Sequence, residues 1–191
     1  MSIWRRVAAS KAAPLDKLSK LEVAAPMLAE QFRFAPAGVS CVCFRTTDEP
    51  AFRNVEYTIR AALNQYGSGA MPPEVRDDTY GFSWLVLRHP SEQLRPLISD
   101  MKTATAKFVE TGLDAQLLCS LTIFRDTYGS RIALVYLYKR GTFYPFAPLN
   151  GDTRDNRLEF QIKDALRETL PIEPDVKKWF PIWGVPELQE S

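Results

Sequence analysis

The chain has 191 residues, of which 46% are hydrophobic, and its 24 Lys and Arg against 23 Asp and Glu leave a formal net charge of +1. This balance argues against a protein built mainly for nucleic acid, because neutralising phosphates requires a clustered surplus of cations. One core can bury about 70% of the unfolded surface of a chain this long, and no apolar run approaches the roughly 20 residues that span a bilayer. We therefore expect one globular domain that needs neither disulfides nor metal to fold.

Residues 1–14 form a basic N-terminal segment. Trp4, Arg5 and Arg6 come early in it, and no acidic residue precedes Asp16. One interpretation is a short helix whose apolar stripe contacts a membrane surface or a partner helix, with those three residues as the contact candidates. The other is a frayed end with this composition by chance. No apolar stretch typical of an export signal follows, so we expect a cytoplasmic protein, with the inner face of the membrane as a candidate site of peripheral contact.

The first half of the chain alternates helix and strand. Apolar spacing predicts a helix over Leu15–Phe32, with Pro26 as a candidate bend, and a buried strand over Val39–Phe44. A second helix is predicted over Phe52–Leu63. Glycines 67 and 69 and the pair Pro72-Pro73 then predict a loop, because none of these residues continues a helix.

The second half contains the clearest elements. A central strand is predicted over Thr79–Arg88, and a helix follows that starts between Ser91 and Arg95 and ends at Gly112. Short links then join three strands, which must be antiparallel. A last helix and a tail rich in Trp and Pro complete the chain. The three strands are predicted at Gln116–Phe124, Arg131–Lys139 and Thr142–Ala147. The helix is predicted at Arg154–Leu170, and the tail comprises residues 175–191.

This order predicts an α+β fold, with a mostly antiparallel sheet of about five strands and helices packed on it. Residues 15–174 are predicted to form the single domain. Two layers cover one face of the sheet and leave the other to loops and the tail. We expect Trp179, Phe180 and Trp183 to pack on that domain, because bare indoles are an aggregation hazard.

Three cysteines and one histidine are the residues best suited to metal binding or nucleophilic chemistry. Cys41 and Cys43 are one residue apart on a predicted strand, a poor spacing for a disulfide or for a shared zinc ion. We expect these two and Cys119 to be reduced and metal-free. His89 precedes Pro90, which favours an extended residue at a strand end in solvent. Phosphate-loop, dinucleotide and zinc-peptidase motifs do not occur, so the sequence predicts no catalytic residue, metal site or cofactor.

Residues 136–148 form the most distinctive local feature, a hairpin with five aromatic residues and two adjacent cations. Because side chains alternate between the two faces of a strand, we expect some of the rings to point away from the core. A well-packed hairpin with a solvated basic tip is one interpretation. The other is a partner-docking face. Its candidate contact residues are Tyr138, Lys139, Arg140, Tyr144 and Phe146.

Several stretches of the sequence resemble one known family. They are DTYGFSW at 78–84, QLLCSL at 116–121, LYKRGTFYPFAP at 137–148, RDN at 154–156 and WFPIWG at 179–184. From about Val39 to Gly184 the chain resembles PspAB, the PspA-associated protein family. The resemblance implies a non-catalytic intracellular protein linked to the phage-shock envelope-stress system and to PspA, a helical membrane-remodelling protein. The order of elements is also similar to that of type III secretion chaperones and YbjN-like domains, which bind partner polypeptides.

Two functional hypotheses remain open from the sequence. The first is an adaptor or chaperone-like protein that associates with PspA, with a membrane protease or the membrane surface as further candidate partners and no nucleic acid. The alternative is a small-ligand-binding protein or a cryptic enzyme that uses the hairpin as a pocket wall. A concave pocket lined by Tyr136, Tyr138, Tyr144 and a Trp would favour the alternative. A flat or convex apolar patch near Lys139 and Arg140 would favour the adaptor.

Overall fold

The computed structural model describes residues 15–45, 57–63 and 71–188 of the chain. The basic segment with Trp4, Arg5 and Arg6, the start of the second helix and the glycines 67 and 69 lie outside these ranges. The helices are α1 (Leu21–Phe32), α2 (residues 57–63), α3 (Leu94–Glu110) and α4 (Asn156–Leu166). The strands are β1 (Ala35–Phe44), β2 (Met71–Asp77), β3 (Ser83–Arg88), β4 (Leu117–Arg125), β5 (Arg131–Leu137) and β6 (Thr142–Phe146).

The described strands form one sheet in the order β2-β3-β1-β4-β5-β6, with every neighbouring pair antiparallel. The central strand β1 pairs with β3 on one side and with β4 on the other. The link between β5 and β6 is tight, as predicted, and Gly141 adopts a φ of 65° there. The α+β prediction is confirmed, although the sheet has six strands where about five were expected.

The additional strand is β2, which the sequence assigned in part to a loop because of Pro72 and Pro73. Proline cannot donate to a strand ladder, so it is confined mainly to edge strands and bulges. Among the described strands, β2 lies at the edge of the sheet and has β3 as its one neighbour. Its register shifts between Met71 and Glu74, so the two prolines lie where the ladder is irregular.

Helices cover one face of the sheet. Pro26 lies inside α1, and the predicted first helix is a 3-10 turn over Leu15–Lys20 followed by α1. The apolar sides of α1, α3 and α4 pack with alternate residues of the strands into one core. Its fully buried members include Leu21, Leu28, Val42, Leu85, Leu97, Met101, Phe124, Leu134, Ile162 and Leu166.

An irregular C-terminal segment, residues 174–188, covers the opposite face, and we call it the C-terminal cover. Its Trp179 and Phe180 are 5% and 9% exposed, and Trp183 packs beside them. Because burial of a large side chain is worth about 2 to 3 kcal/mol, side-chain packing can hold a segment that has little regular structure. The other buried residues of the cover are Ile182, Val185 and Leu188.

The chain just before the cover closes one edge of the sheet. The Phe143 amide of β6 donates to the Pro171 carbonyl at 2.8 Å, and the Glu173 amide donates to the Phe143 carbonyl at 2.7 Å. Ile172 thereby forms a parallel bridge with Phe143. β6 therefore carries a short backbone partner along its outer edge, which limits edge-to-edge association there.

Replacing Trp179 with alanine tests the packing of the cover. The cavity left by Trp179→Ala should lower the free energy of unfolding by roughly 3 to 5 kcal/mol and Tm by about 10 °C. Tyr128→Ala is the matched control, because Tyr128 is 85% exposed and its loss should change stability by under about 0.5 kcal/mol. Denaturant unfolding of both variants gives the comparison. Equal small effects would mean that the cover contributes no stability.

Candidate functional site

The rings of the predicted docking hairpin are buried. Tyr138 is 1% exposed, and Tyr144 and Phe146 are fully enclosed. The prediction that some rings point away from the core is wrong, because both faces of the sheet are covered. Tyr136, Tyr138 and Phe143 belong to the core under the helices, whereas Tyr144 and Phe146 belong to the core under the C-terminal cover.

Hydroxyl groups of the hairpin tyrosines are bonded inside the protein. The Tyr138 hydroxyl lies 2.6 Å from the Thr105 hydroxyl of α3, and the Tyr144 hydroxyl donates to the Phe180 carbonyl of the cover at 2.9 Å. Burial raises the pKa of Tyr136 to about 12 and raises those of Tyr138 and Tyr144 above their usual value. These phenols stay protonated near neutral pH and serve as structural hydrogen-bond groups.

Arg140, at the tip of the hairpin, pairs with a buried carboxylate of its own chain. The side chain of Glu173 is 0% exposed, whereas that of Arg140 is 43% exposed. The Arg140 guanidinium donates through Nε to Oε2 and through Nη2 to Oε1 at 2.8 Å, and the Thr142 hydroxyl donates to Oε2 at 2.7 Å. Burial acts to raise the pKa of the Glu173 carboxyl, but these hydrogen bonds outweigh it and hold that pKa below its usual value.

Lys139 lies beside Arg140 and is partly exposed. Partial burial and the positive charge of Arg45 lower the pKa of Lys139, while Asp114 acts in the opposite direction. The sequence therefore located the two cations at the hairpin tip, but it did not indicate that Arg140 already has a partner within the chain.

A second buried carboxylate, Glu159, joins the end of β6 to α4. Arg154 Nε lies 2.8 Å from Glu159 Oε1, and the Ala147 amide donates to the same oxygen at 2.8 Å. Arg154 Nη1 also donates to the Trp179 carbonyl at 2.9 Å, and the guanidinium lies 4.9 Å from the centre of the Phe146 ring. This cluster fastens the cover to the hairpin. The sequence carried no signal for Glu159 or Glu173, because an isolated Glu in polar sequence is typical of a solvated position.

His89 does not lie in solvent, which corrects the prediction from the sequence. Its side chain is 0% exposed, and Nε2 lies 2.7 Å from Asp100 Oδ2 on α3. The backbones of Gly38 and His89 pack closely together, since a Cβ at Gly38 would lie 2.3 Å from the His89 carbonyl oxygen. α3 packs over the end of β3 and encloses the ring, so in this conformation the imidazole has no access to a substrate.

A cavity of about 560 Å³ lies away from the hairpin rings, between the β4–β5 turn, the loop after β6 and the end of the cover. Arg131 is the one charged residue in its wall, and its Nη1 donates to the Glu187 carbonyl at 2.9 Å. Tyr136, Tyr138 and Tyr144 are buried and line no part of it. The predicted pocket wall of hairpin aromatics is therefore not found in this cavity.

Two exposed apolar side chains lie near Trp179: Phe160 of α4, which is 44% exposed, and Val176 of the cover, which is 48% exposed. The Phe160 ring lies 5.6 Å from that of Trp179, and Lys163 Nζ lies 5.6 Å from the Phe160 ring centre. Lys177 follows Val176 and is exposed. We call Phe160, Val176, Lys163 and Lys177 the α4 surface. No pattern in the sequence indicated this surface.

Across residues 15–45, 57–63 and 71–188, no group of three or more His, Cys, Asp or Glu side chains is placed to hold a metal ion. No helix in those ranges combines the length and the apolar character needed to cross a membrane. The three cysteines are buried and unbonded to one another in the structure.

Removing Arg140 should destabilise the fold, because it leaves Glu173 buried without its cation. We expect Arg140→Ala to lower the free energy of unfolding by roughly 1 to 3 kcal/mol. Lys177→Ala, which removes an exposed cation close by, is the control and should cost under about 0.5 kcal/mol. Equal losses in the two variants, measured by urea unfolding, would contradict a structural role for the pair.

The same pair predicts a pH dependence. The pKa of Glu173 is lower in the folded protein than its usual value of 4.5, so its ionised form stabilises the fold above that pH and this stabilisation is lost as pH falls through the folded-state pKa. Wild type should therefore exceed Glu173→Gln in unfolding free energy at pH 6, and the difference should shrink towards pH 3. A difference that is constant over this range would contradict the assignment.

The comparisons with known proteins bear on the chain as a whole. The model of the family PspAB, described as PspA associated protein B, matches residues 2–187. No curated protein and no solved structure matches, so the likeness to secretion chaperones and YbjN-like domains stays a prediction. The match covers all five stretches that resembled the family, together with the basic N-terminal segment. Because it spans nearly the whole chain, the protein belongs to the PspAB family.

Proposed function

We propose that this protein is a non-catalytic binding protein for a PspA-type helical partner and acts as an adaptor or chaperone-like protein in the envelope-stress response. The observation that carries the proposal is the family match, whose description names association with PspA. A cytoplasmic location, with peripheral contact at the inner face of the membrane, is part of the same proposal.

Two features of the described residues support a non-catalytic role. His89, the one histidine of the chain, is buried against Asp100. The cavity near the end of the cover offers a single charged wall residue, Arg131, which already donates to the Glu187 carbonyl. The cavity wall carries the hydroxyls of Ser130 and Thr153, but neither place presents an exposed acid or base that could activate them.

The buried rings of the hairpin do not supply the contact area that was expected of them, so we assign the partner contact to the α4 surface. Phe160 and Val176 provide exposed apolar area there. Cations lie close to it in the sequence, since Arg157, Lys177 and Lys178 are within three residues of Phe160 or Val176 and form no ion pair with any residue in the described part of the chain.

The carboxylates near this surface are already engaged. Asp155 accepts from the Leu158 amide at the start of α4, Asp175 accepts from the Lys177 amide, and Asp164 pairs with Lys163 at 3.1 Å. Two exposed apolar side chains near Trp179, with unpaired cations close to them in the sequence, fit an amphipathic helix with acidic residues beside its apolar stripe. Of the docking residues predicted from the sequence, Lys139 is partly exposed, and it lies at the hairpin tip and is not part of the α4 surface.

The test is direct binding of purified PspA from the same cell to the full-length protein, measured by calorimetry or interferometry. The double variant Phe160→Asp, Val176→Asp should weaken binding at least about tenfold, because it places charge in the apolar centre of the contact. Tyr128→Asp, at an exposed aromatic on the β4–β5 turn, should bind like wild type. Failure of the wild-type protein to bind PspA would reject the function, whereas unchanged binding of the double variant would reject only the α4 surface.

Deleting residues 1–11 separates a partner interface from a membrane interface. If Trp4, Arg5 and Arg6 contact the membrane, the deletion should abolish sedimentation with vesicles that contain anionic lipid, and it should leave binding to PspA in solution within about twofold of wild type. Circular dichroism provides the folding control. Loss of PspA binding in solution would instead place the helical partner on the N-terminal segment.

A further inference from the structure

Two of the three cysteines face each other across the two central strands of the sheet. Cys43 on β1 is the direct register partner of Cys119 on β4, in an antiparallel pair. Burial raises the pKa of the Cys43 thiol, and the neighbouring Cys119 thiol raises it further. Directly opposed residues of antiparallel strands have Cα atoms about 4.5 to 5.5 Å apart, inside the roughly 4.4 to 6.8 Å that a disulfide spans. The fold therefore holds two residues that are distant in sequence at a separation suited to a covalent bond.

The third cysteine has different neighbours. Cys41 is on the same face of β1, but its register partners are Val86 on β3 and Leu121 on β4. It therefore lies opposite apolar side chains, and no thiol faces it directly. The strand register therefore places Cys43 opposite Cys119 and leaves Cys41 without an opposing thiol. Cys41 serves as the internal control.

We propose that Cys43 and Cys119 are a site of reversible disulfide formation with a peroxide as the oxidant. One thiolate attacks a peroxide oxygen, the O–O bond breaks, and hydroxide leaves as a sulfenic acid forms. The second thiolate attacks that sulfur, so that the S–S bond forms while the S–O bond breaks and a second hydroxide leaves. The two thiols lose two electrons to the peroxide, and their protons convert the two hydroxides into water.

The C-terminal cover controls access to this pair. Cys43 is 2% exposed and Cys119 is fully buried. Both belong to the core that Trp179 and Phe180 close, and burial raises the pKa of the Cys43 thiol, which disfavours the reactive thiolate. Tyr144, near both thiols, is tied to the Phe180 carbonyl by its hydroxyl. Oxidation therefore requires the cover to open. The amount of disulfide formed is then a measure of how often the cover opens.

The first test uses the full-length wild-type protein. It is treated with hydrogen peroxide, the remaining thiols are alkylated, and peptides are mapped by mass spectrometry. We expect one Cys43–Cys119 crosslink within a chain, a mass lower by about 2 Da, alkylation at Cys41, and full reversal by dithiothreitol. Cys41→Ser should form the same crosslink. A crosslink to Cys41, a crosslink between chains, or sulfinic acid without a crosslink in the folded protein would overturn the proposal.

The second test measures the role of the cover. Tyr144→Phe keeps the ring and removes the hydrogen bond to the Phe180 carbonyl, so crosslinking at a fixed peroxide concentration should be faster by about fivefold, the effect of one hydrogen bond on an opening equilibrium. Equal crosslinking rates in wild type and Tyr144→Phe would overturn the claim that the cover controls access of peroxide to the thiols. Absence of the crosslink in both proteins would overturn the pair itself. Neither result depends on whether the protein binds PspA.

Discussion

The structure depends on burying the second apolar face of the sheet. Strand β4 shows the constraint, because every residue from Leu117 to Phe124 is buried and the strand therefore needs cover on both sides. Helices supply one layer, and an irregular segment supplies the other. A segment without regular structure must find partners for its carbonyl groups. Here the side chains of Tyr144, Arg154 and Arg131 donate to three carbonyls of the cover, while its aromatic and aliphatic residues fill the core.

The two buried carboxylates follow from this arrangement. Glu173 lies where the chain leaves the edge of β6 and enters the cover, and Glu159 lies where α4 meets the end of β6. Each is bonded to an arginine and to further donors, so its charge is compensated inside the protein. Buried ion pairs often add little net stability, but they are costly to break. Their role here is to fix where the cover begins and how it crosses the hairpin, which explains why Arg140 serves the fold although it stands at an exposed tip.

The sequence predicted α3, β4, β5 and β6 to within a few residues. The apolar residues of these elements recur at regular helical or strand spacing within the element itself, so neighbouring residues are enough to predict them. It missed β2, because the exclusion of proline from strands does not apply at a sheet edge. The wrong assignments of His89 and of the hairpin rings have one cause. The exposure of a strand residue is not a property of the strand or of its end, because it is set by the helix or segment that packs over it. The pairing of Cys43 with Cys119 and the roles of Glu159 and Glu173 depend on register and on the path of the cover, which no local pattern encodes.

The stretches that resemble the PspAB family meet at the second face of the sheet. The rings of Tyr144 and Trp179 stack at 6.1 Å, and Phe146 packs edge-on against Trp183 at 5.0 Å, so residues 137–148 and 179–184 touch directly. Arg154 binds the Trp179 carbonyl, a Cβ at Gly184 would contact the Tyr80 ring, and Cys119 lies in the same core. Each of the five stretches therefore contributes residues to the cover or to the surface beneath it. This unit is already filled by its own chain, so these stretches serve the architecture of the fold. A partner must then bind to exposed side chains outside the core, or to a state in which the cover has opened.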